Sequence, residues 1–319
     1  MDKCQWQRRE SRVFIASHHR MVALKGSQMA NPRKQVPENV PGDFYVDSTC
    51  IDCDACRQIA PAVFGEAGET SFVKSQPRSN GEHRHALQAL LSCPTGSIGF
   101  LGHPDLKAVQ QDFPLLIEKP VFYCGYNSPK SYGGNSYYIR HAAGNWLIDS
   151  PKFVGPLVKR LESLGGVANI FLTHRDDVAD AERYASHFNS RRIIHRDEVA
   201  WQPDAEMILD GPGPWELAPG FLAISTPGHT QGHCVLLFNE RFLFTGDHLH
   251  WNRHANQLSA SEDYCWHSWT QQADSMEGLA DFRFEWILPG HGQKVHLPVA
   301  EMRRQTLLLA EFMRSRSSD

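Results

Sequence analysis

Four cysteines near the start of the chain constrain its folding more than any other feature. Three of them recur at every third position of the stretch CIDCDAC, and the fourth precedes a proline: Cys50, Cys53, Cys56 and Cys93. Thiolates at this short spacing bind one inorganic cluster when the loop folds back on itself, and a distant fourth thiolate completes the ligand set. Zinc is the competing interpretation, but zinc sites usually show two separated cysteine pairs.

The stretches FYVDSTCIDCDACRQIAPAVF and LLSCPTGSIGF resemble a bacterial-type ferredoxin with a single cluster. The resemblance spans residues 43–102 and implies one [4Fe–4S] cluster bound by the four cysteines. Ala60 stands where a two-cluster relative carries a further cysteine, so one cluster is expected. Three carboxylates beside the cysteines are expected to lower the reduction potential of the cluster. They are Asp47, Asp52 and Asp54.

Composition limits the classes of protein that this chain represents. The chain has 319 residues, 41% of them hydrophobic, and a formal net charge of −4. It is long enough for one large domain or two ordinary ones. The sequence shows no basic block with interleaved aromatic residues and no apolar run of membrane-spanning length, so we expect neither nucleic acid nor a membrane as a partner. The remaining cysteines are scattered singly and no secretory signal is visible, which favours a soluble protein of the reducing cytoplasm.

The chain divides into four segments. Residues 1–42 are interpreted as a tail and an extended lead-in, and the basic residues 1–28 are expected to be poorly ordered. Residues 43–102 form a small α+β ferredoxin-like module, and residues 103–120 are a proline-broken connector. From residue 121 to 319, short apolar strands alternate with helical patterns. This order predicts a second, larger α/β domain.

Four stretches of the larger domain place histidine or aspartate just after an apolar strand. They are LTHRDDVAD, STPGHTQGH, LFTGDHLHW and LPGHG. Glycines beside these residues let the side chains converge, and loops at strand ends commonly carry function. Single histidines are more often structural, and we assign such supporting roles to His195, His248 and His250. The aromatic residues Tyr264, Trp266 and Trp269 lie either along the cleft or in the core.

In this order, the four stretches resemble the metallo-β-lactamase superfamily over residues 121–296. The resemblance implies an αββα sandwich with a metal cleft at one edge of its sheets, and it puts Asp149 at the usual strand-end aspartate. It further implies that His229, Asp247 and His291 are metal ligands, with Asp247 between two metals.

The segment after His174 departs from the superfamily pattern His-x-His-x-Asp-His. Asp176 stands at the place of the second histidine, and Val178 and Ala179 stand where the Asp-His pair belongs. If the loop is longer, Asp180 replaces the missing aspartate. Either alignment leaves the second metal ion with few ligands. Carboxylate ligands are harder than imidazole, so iron or manganese is favoured over zinc among one or two bound metal ions.

Three functions fit these residues. The first hypothesis is a metal-dependent hydrolase of the superfamily, acting on a small ester or thioester, with Asp180 or Asp177 orienting a metal-bound water. The second is an oxidoreductase whose non-haem iron site is fed by the cluster and by an electron-transfer partner. Mononuclear-iron dioxygenases and flavodiiron proteins of the superfamily resemble the ligand set. The third is a non-catalytic iron–sulfur sensor or binding platform. We rank the hydrolase first and the oxidoreductase close behind it.

Overall fold

The computed structural model describes residues 30–316, so the tail predicted for residues 1–28 lies outside the described residues. The first module contains two small antiparallel sheets and two helices. Its elements are β1 (Phe44–Val46), α1 (Ala55–Ile59), β2 (Phe64–Ala67), β3 (Thr70–Val73), α2 (Asn80–Ser92) and β4 (Ile98–Phe100). Strand β1 pairs with β4, and β2 pairs with β3. The small α+β module predicted around the cysteines is therefore present.

The lead-in packs against this module. Gln35 forms an isolated antiparallel bridge with Asp47, and the Tyr45 hydroxyl donates to the Ala30 carbonyl at 2.8 Å. Val36 is buried in the same apolar cluster as Phe44. Described residues 30–42 thus belong to the module structurally, because the chain buries an apolar side chain there.

The predicted connector also contains regular structure. It holds helix α3 (Leu106–Gln110) and strand β5 (Leu115–Glu118). Strand β5 pairs antiparallel with β6 (Val121–Tyr123) and forms the edge of the larger sheet. The second domain therefore begins structurally before residue 121. The prolines that interrupt this segment hid the strand from the sequence pattern.

Two sheets form the body of the larger domain. Besides β5 and β6, the first sheet contains β7 (Tyr137–Ile139), β8 (Trp146–Ile148), β9 (Asn169–Phe171), β10 (Arg191–His195) and β11 (Met207–Leu209). Its seven strands lie in the order β11-β10-β9-β8-β7-β6-β5. A separate hairpin joins β16 (His250–Asn252) to β17 (Gln257–Ser259).

The second sheet is built from the later strands of the chain. They are β12 (Trp215–Ala218), β13 (Phe221–Ser225), β14 (Cys234–Phe238), β15 (Phe242–Gly246), β18 (Trp286–Pro289) and β19 (Val295–His296). These six strands lie side by side in chain order, and the hairpin of β16 and β17 is left out of the sheet.

Helices cover both outer faces of the two sheets. Leu161 of α4 (Gly155–Ser163) and Tyr184 of α5 (Ala181–Phe188) are buried against the first sheet. The second sheet packs against α6 (Trp269–Leu279) and α7 (Val299–Arg316). Between the sheets, Trp146 stacks on Phe221 with ring centroids 4.1 Å apart. The layers are helix, sheet, sheet and helix, so the αββα sandwich predicted from the sequence is confirmed. No helix among residues 30–316 combines the length and hydropathy that crossing a bilayer requires.

The strand directions bring the chemistry-bearing residues together. Asp149 follows β8, His174 follows β9 and Asp247 follows β15, while His229 and His291 come after β13 and β18. Strands β8 and β9 are parallel, as are β15 and β18, so their carboxyl ends share an edge. These residues thereby gather at one edge of the sandwich.

We expect Trp146→Ala to lower the free energy of unfolding by about 3–5 kcal/mol, because it leaves a cavity between the sheets. Urea unfolding followed by circular dichroism measures the effect. Leu116→Ala, at a side chain that is 56% exposed, serves as the control and is expected to change stability by less than about 0.5 kcal/mol. Equal effects of the two substitutions would contradict the assignment of Trp146 to the inter-sheet core.

Candidate metal centre and iron–sulfur site

The four predicted cluster cysteines line one cavity of the first module. Cys50, Cys53, Cys56 and Cys93 are all free thiols around it, together with Ser71 and Ser97. The Ser71 amide donates to the Cys50 sulfur at 3.4 Å, and the Ser97 amide donates to the Cys93 sulfur at 3.3 Å. Bonds of this kind stabilise thiolates that hold a cluster.

The cysteine loop makes two left-handed turns to aim its sulfurs inward. Asp52 has φ 56° and Asp54 has φ 63°. Burial raises the pKa of Cys53 to about 12, and the nearby Cys93 and Cys50 thiols act in the same direction. Thiolates so close together need a cationic partner, and the iron of a cluster supplies it. The residues of this cavity therefore fit a [4Fe–4S] cluster.

The carboxylates beside the cluster loop are mostly paired. Arg57 bonds Asp52 at 2.6 Å and Asp54 at 2.5 Å. Arg253 of the larger domain also pairs with Asp54. These cations offset the negative charge that was expected to lower the cluster potential.

The strand-end residues form two groups of donors that share one carboxylate. The first group is His174, His229 and Asp247, and the second is Asp177, Asp247 and His291. Within each group the ligand atoms lie within 4.8 Å of one another. Asp176 also faces the first group, with an oxygen 3.6 Å from the His229 Nε2 and 3.8 Å from the His174 Nε2. We call these six residues the histidine–aspartate site.

The orphaned polar atoms of this site show that it fits metal ions. Several of its buried donor atoms have no hydrogen-bond partner within the described structure. They are the Nε2 atoms of His174, His229 and His291, an oxygen of Asp176 and both oxygens of Asp177. Buried polar atoms without partners are costly unless a ligand satisfies them. Imidazole nitrogens and carboxylate oxygens facing one point are the donors that transition metals take.

Charge supports the same conclusion. Burial and the adjacent Asp247 carboxylate hold the pKa of Asp177 well above its ordinary value. Although burial opposes a charged imidazole, Asp247 raises the pKa of His174 to about 10, and it does the same for His291. Without metal, protons on His174 and His291 balance the buried carboxylates. Metal ions would displace those protons on binding.

A chain of hydrogen bonds orients His174. Asp149 accepts from the Thr173 amide at 2.8 Å, and the Thr173 hydroxyl lies 3.0 Å from the His174 Nδ1. This leaves the Nε2 of His174 directed at the donors of the first group. Such outer partners fix the orientation of ligating histidines.

The three aspartates after His174 have different positions. A 3₁₀ turn, Arg175–Asp177, directs Asp176 to the first group and Asp177 to the second. The oxygens of Asp180 instead accept from the Lys130 ammonium at 2.7 Å and from the Phe153 amide at 2.8 Å. Asp177 was expected to orient water, but its carboxylate is placed as a metal ligand of the second group. The second group therefore has one more ligand than either alignment of the sequence with the superfamily pattern predicted. Asp180 lies outside both groups.

Sequence patterns missed one histidine and three glycines. His233 is fully buried with its ring 5.1 Å from that of His174, and its Nδ1 lies 2.9 Å from the Thr226 hydroxyl. A Cβ atom at Gly134 or Gly290 would lie 2.6 Å from an Asp177 oxygen. At Gly133, where φ is +86°, it would lie 2.6 Å from the Cys53 Cβ. The double glycine in SYGGN was the available signal.

Gly133 and Gly134 separate the two sites. Gly133 touches a cluster cysteine, and the next residue touches a donor of the histidine–aspartate site. A backbone hydrogen bond fixes the chain just after this glycine pair. The Asn135 amide donates to the carbonyl of Gly290, the residue before His291, at 2.7 Å. Two adjacent residues therefore span the interval between Cys53 and Asp177.

The other predicted residues take supporting or peripheral places. The Nδ1 of His195 accepts from the Asp197 amide at 3.2 Å, and His250 packs against Gly292. His248 is buried 5.6 Å from His233. Among the aromatic residues, Trp269 donates to a carbonyl of α7 in the core. Trp266 lies 6.3 Å from the His229 ring and is exposed together with Tyr264.

Comparison with known proteins finds a family match in the first part of the chain. Residues 46–100 match the family model of the 4Fe-4S single cluster domain of ferredoxin I. The chain carries this domain.

Several solved structures of metallo-β-lactamase-fold proteins resemble the larger part of the chain. The DIM-1 metallo-beta-lactamase is 15% identical, with 62% of this chain and 95% of that chain covered and a TM-score of 0.49. A metallo-beta-lactamase family protein from Thermus thermophilus is 17% identical, with 64% and 81% covered and a TM-score of 0.46. ETHE1 from Myxococcus xanthus is 18% identical, with 60% and 85% covered and a TM-score of 0.44.

Cys93→Ser is expected to abolish the visible absorbance of the cluster and to remove about four iron atoms per chain, because it takes away a ligand. The half-buried Cys265 lies outside the cavity, so Cys265→Ser is the matched control and is expected to retain the cluster. Retention of full absorbance by Cys93→Ser would contradict the ligand assignment.

Asp177→Asn is expected to reduce the metal bound outside the cluster by about one ion per chain, because the second group loses its charged oxygens. Asp180→Asn makes the same chemical change three positions away and is expected to leave the metal content unchanged. Both are measured by elemental analysis after removal of loosely bound metal. Loss of metal in Asp180→Asn alone would reverse the assignment.

Proposed function

We propose that this protein is an oxidoreductase in which the histidine–aspartate site holds iron next to the [4Fe–4S] cluster. The observation that carries the proposal is the double contact of the glycine pair, with Gly133 against Cys53 and Gly134 against Asp177. A hydrolase has no need of a cluster at this position. A [4Fe–4S] cluster supplies single electrons, and iron held by imidazoles and carboxylates supplies a second redox centre.

The donor set supports iron over zinc. The site combines three imidazoles with three carboxylates. Asp176 faces the first group from the position where the superfamily pattern has a histidine, so this group has a carboxylate in place of a third imidazole. Carboxylate oxygens are hard ligands, and sites with two histidines and one carboxylate are typical of non-haem iron. His174, His229 and Asp247 form such a set.

The residues around the site have separate tasks in this function. Thr173 and Asp149 hold the imidazole of His174 in one orientation. Asp176, whose side chain is 41% exposed, leaves the site open on its own side. The exposed ring of Trp266 lies 6.3 Å from that of His229, and the exposed ring of Tyr264 contacts Trp266, so the two rings fit the apolar part of a small-molecule substrate. An electron-transfer partner would supply the electrons.

A metal-dependent hydrolase of a small ester or thioester is the second candidate. The position of Asp247 favours this function. Asp247 belongs to both donor groups, which is the position expected of a carboxylate that lies between two metal ions. Metal ions in such a pair supply an activated water and polarise the carbonyl of the substrate. This function gives no role to the contact between Gly133 and Cys53, and we therefore rank it second.

Protein purified without oxygen is expected to contain more than the roughly four iron atoms of one cluster and no zinc. Elemental analysis of the wild type and of Cys93→Ser separates cluster iron from iron in the histidine–aspartate site. Four irons with one or two zinc ions would favour the hydrolase. Cluster iron alone, with no other metal, would contradict both functions.

The magnetic behaviour of the reduced cluster tests the proximity of the two centres. In electron paramagnetic resonance, its signal is expected to saturate at higher microwave power in the wild type than in Asp177→Asn, because nearby paramagnetic iron speeds relaxation. Asp180→Asn is expected to behave as the wild type. Identical saturation in all three proteins, at equal cluster content, would contradict the proposal.

A further inference from the structure

Lys294 lies between the two modules, three residues after His291. Its ammonium donates to the Gln58 Oε1 at 2.6 Å and lies 4.6 Å from the centre of the Tyr123 ring. Gln58 belongs to α1, the helix that carries Cys56. The ammonium thus contacts a side chain that is two residues from a cluster ligand.

Gln58 joins the same two segments a second time. Its Nε2 donates to the Gly292 carbonyl at 2.8 Å and to an Asp54 oxygen at 3.2 Å. The amide therefore links the cluster helix to the segment that follows His291. Through this one side chain, Lys294 is held at a set position relative to the cluster loop.

Lys294 has no carboxylate partner of its own among the described residues. Asp54, the acidic group that acts on its charge, is already paired with Arg57 and Arg253. Within residues 30–316, Lys294 forms no ion pair, and its contacts are a neutral amide and an aromatic ring. Burial lowers the pKa of Lys294 to about 8, while Asp54 acts in the opposite direction, so the ammonium stays charged at neutral pH.

A partly buried cation with neutral contacts is stabilised by an anion nearby. The Tyr123 ring that Lys294 covers is linked to the cysteine loop by hydrogen bonds: the Tyr123 hydroxyl donates to Asn127 Oδ1 at 2.5 Å, and the Asn127 amide donates to the carbonyl of Gly133, which lies against Cys53, at 2.6 Å. Four thiolates bound to a [4Fe–4S] cluster carry net negative charge, which grows by one on reduction.

We propose that Lys294 is the cation that balances the charge of the reduced cluster and so raises its reduction potential. This role goes beyond the proposed function, because it concerns the cluster alone. Lys294 acts through charge from the larger domain and binds no iron itself. The cluster potential is then set partly by the domain that carries the histidine–aspartate site.

The test is a redox titration of the cluster in the full chain, followed by electron paramagnetic resonance. Lys294→Gln removes the charge and keeps a donor to Gln58, and Lys294→Arg keeps the charge. At a fixed applied potential, we expect the ratio of reduced to oxidised cluster to fall roughly ten-fold in Lys294→Gln, or about 59 mV for one electron. Lys294→Arg and the exposed Lys159→Gln, which is on α4, are expected to remain close to the wild type.

An unchanged potential in Lys294→Gln would overturn the proposal, and so would equal shifts in the Gln and Arg variants, since packing rather than charge would then be responsible. If Lys294→Gln fails to retain a cluster while Lys294→Arg retains it, the charge is required and the proposal is supported. If neither retains it, the proposal fails. None of these outcomes depends on the metal or the activity of the histidine–aspartate site, so they are distinct from the tests above.

Discussion

The burial of Asp177 beside Asp247 is the interaction on which the rest of the site depends. Two carboxylates buried this close to each other cannot both stay ionised without cations between or beside them. The fold meets this requirement by surrounding them with His174 and His291 and by leaving the Nε2 atoms of both imidazoles free of other bonds within the described structure. The same arrangement accounts for the absence of side chains at Gly134 and Gly290, because any Cβ would occupy the space of the Asp177 carboxylate.

The contact between the modules is polar as well as apolar. Gln58 reaches the Gly292 carbonyl, Arg253 pairs with Asp54, and Gly133 lies directly against Cys53. Two of these contacts, those of Gln58 and Gly133, join the cysteine module to a segment next to a donor of the histidine–aspartate site. The two sites are thus parts of one packed region, in which the position of the cluster loop and the position of His291 depend on each other.

Local patterns in the sequence predicted most of the architecture. The CIDCDAC loop identified the first module, and apolar strands ending in histidine or aspartate identified the edge where His174, His229, Asp247 and His291 meet. The role of Asp177 could not be predicted from the sequence. A 3₁₀ turn directs Asp176 to the first donor group and Asp177 to the second, and the sequence pattern does not reveal this turn. The contacts of Gly133 and Lys294 join residues far apart in the chain. Such contacts follow from tertiary packing, which neither periodicity nor motif spacing encodes.

Strand β5 has a consequence for how the chain can be divided. It is the outermost strand of the seven-stranded sheet, although it precedes the segment that the sequence assigned to the larger domain. A chain that began at Val121 would expose the unpaired backbone of β6 along an apolar strand. Open edges of this kind pair with other molecules and promote aggregation. The larger domain therefore covers the edge of β6 with a strand that comes from the link to the iron–sulfur module.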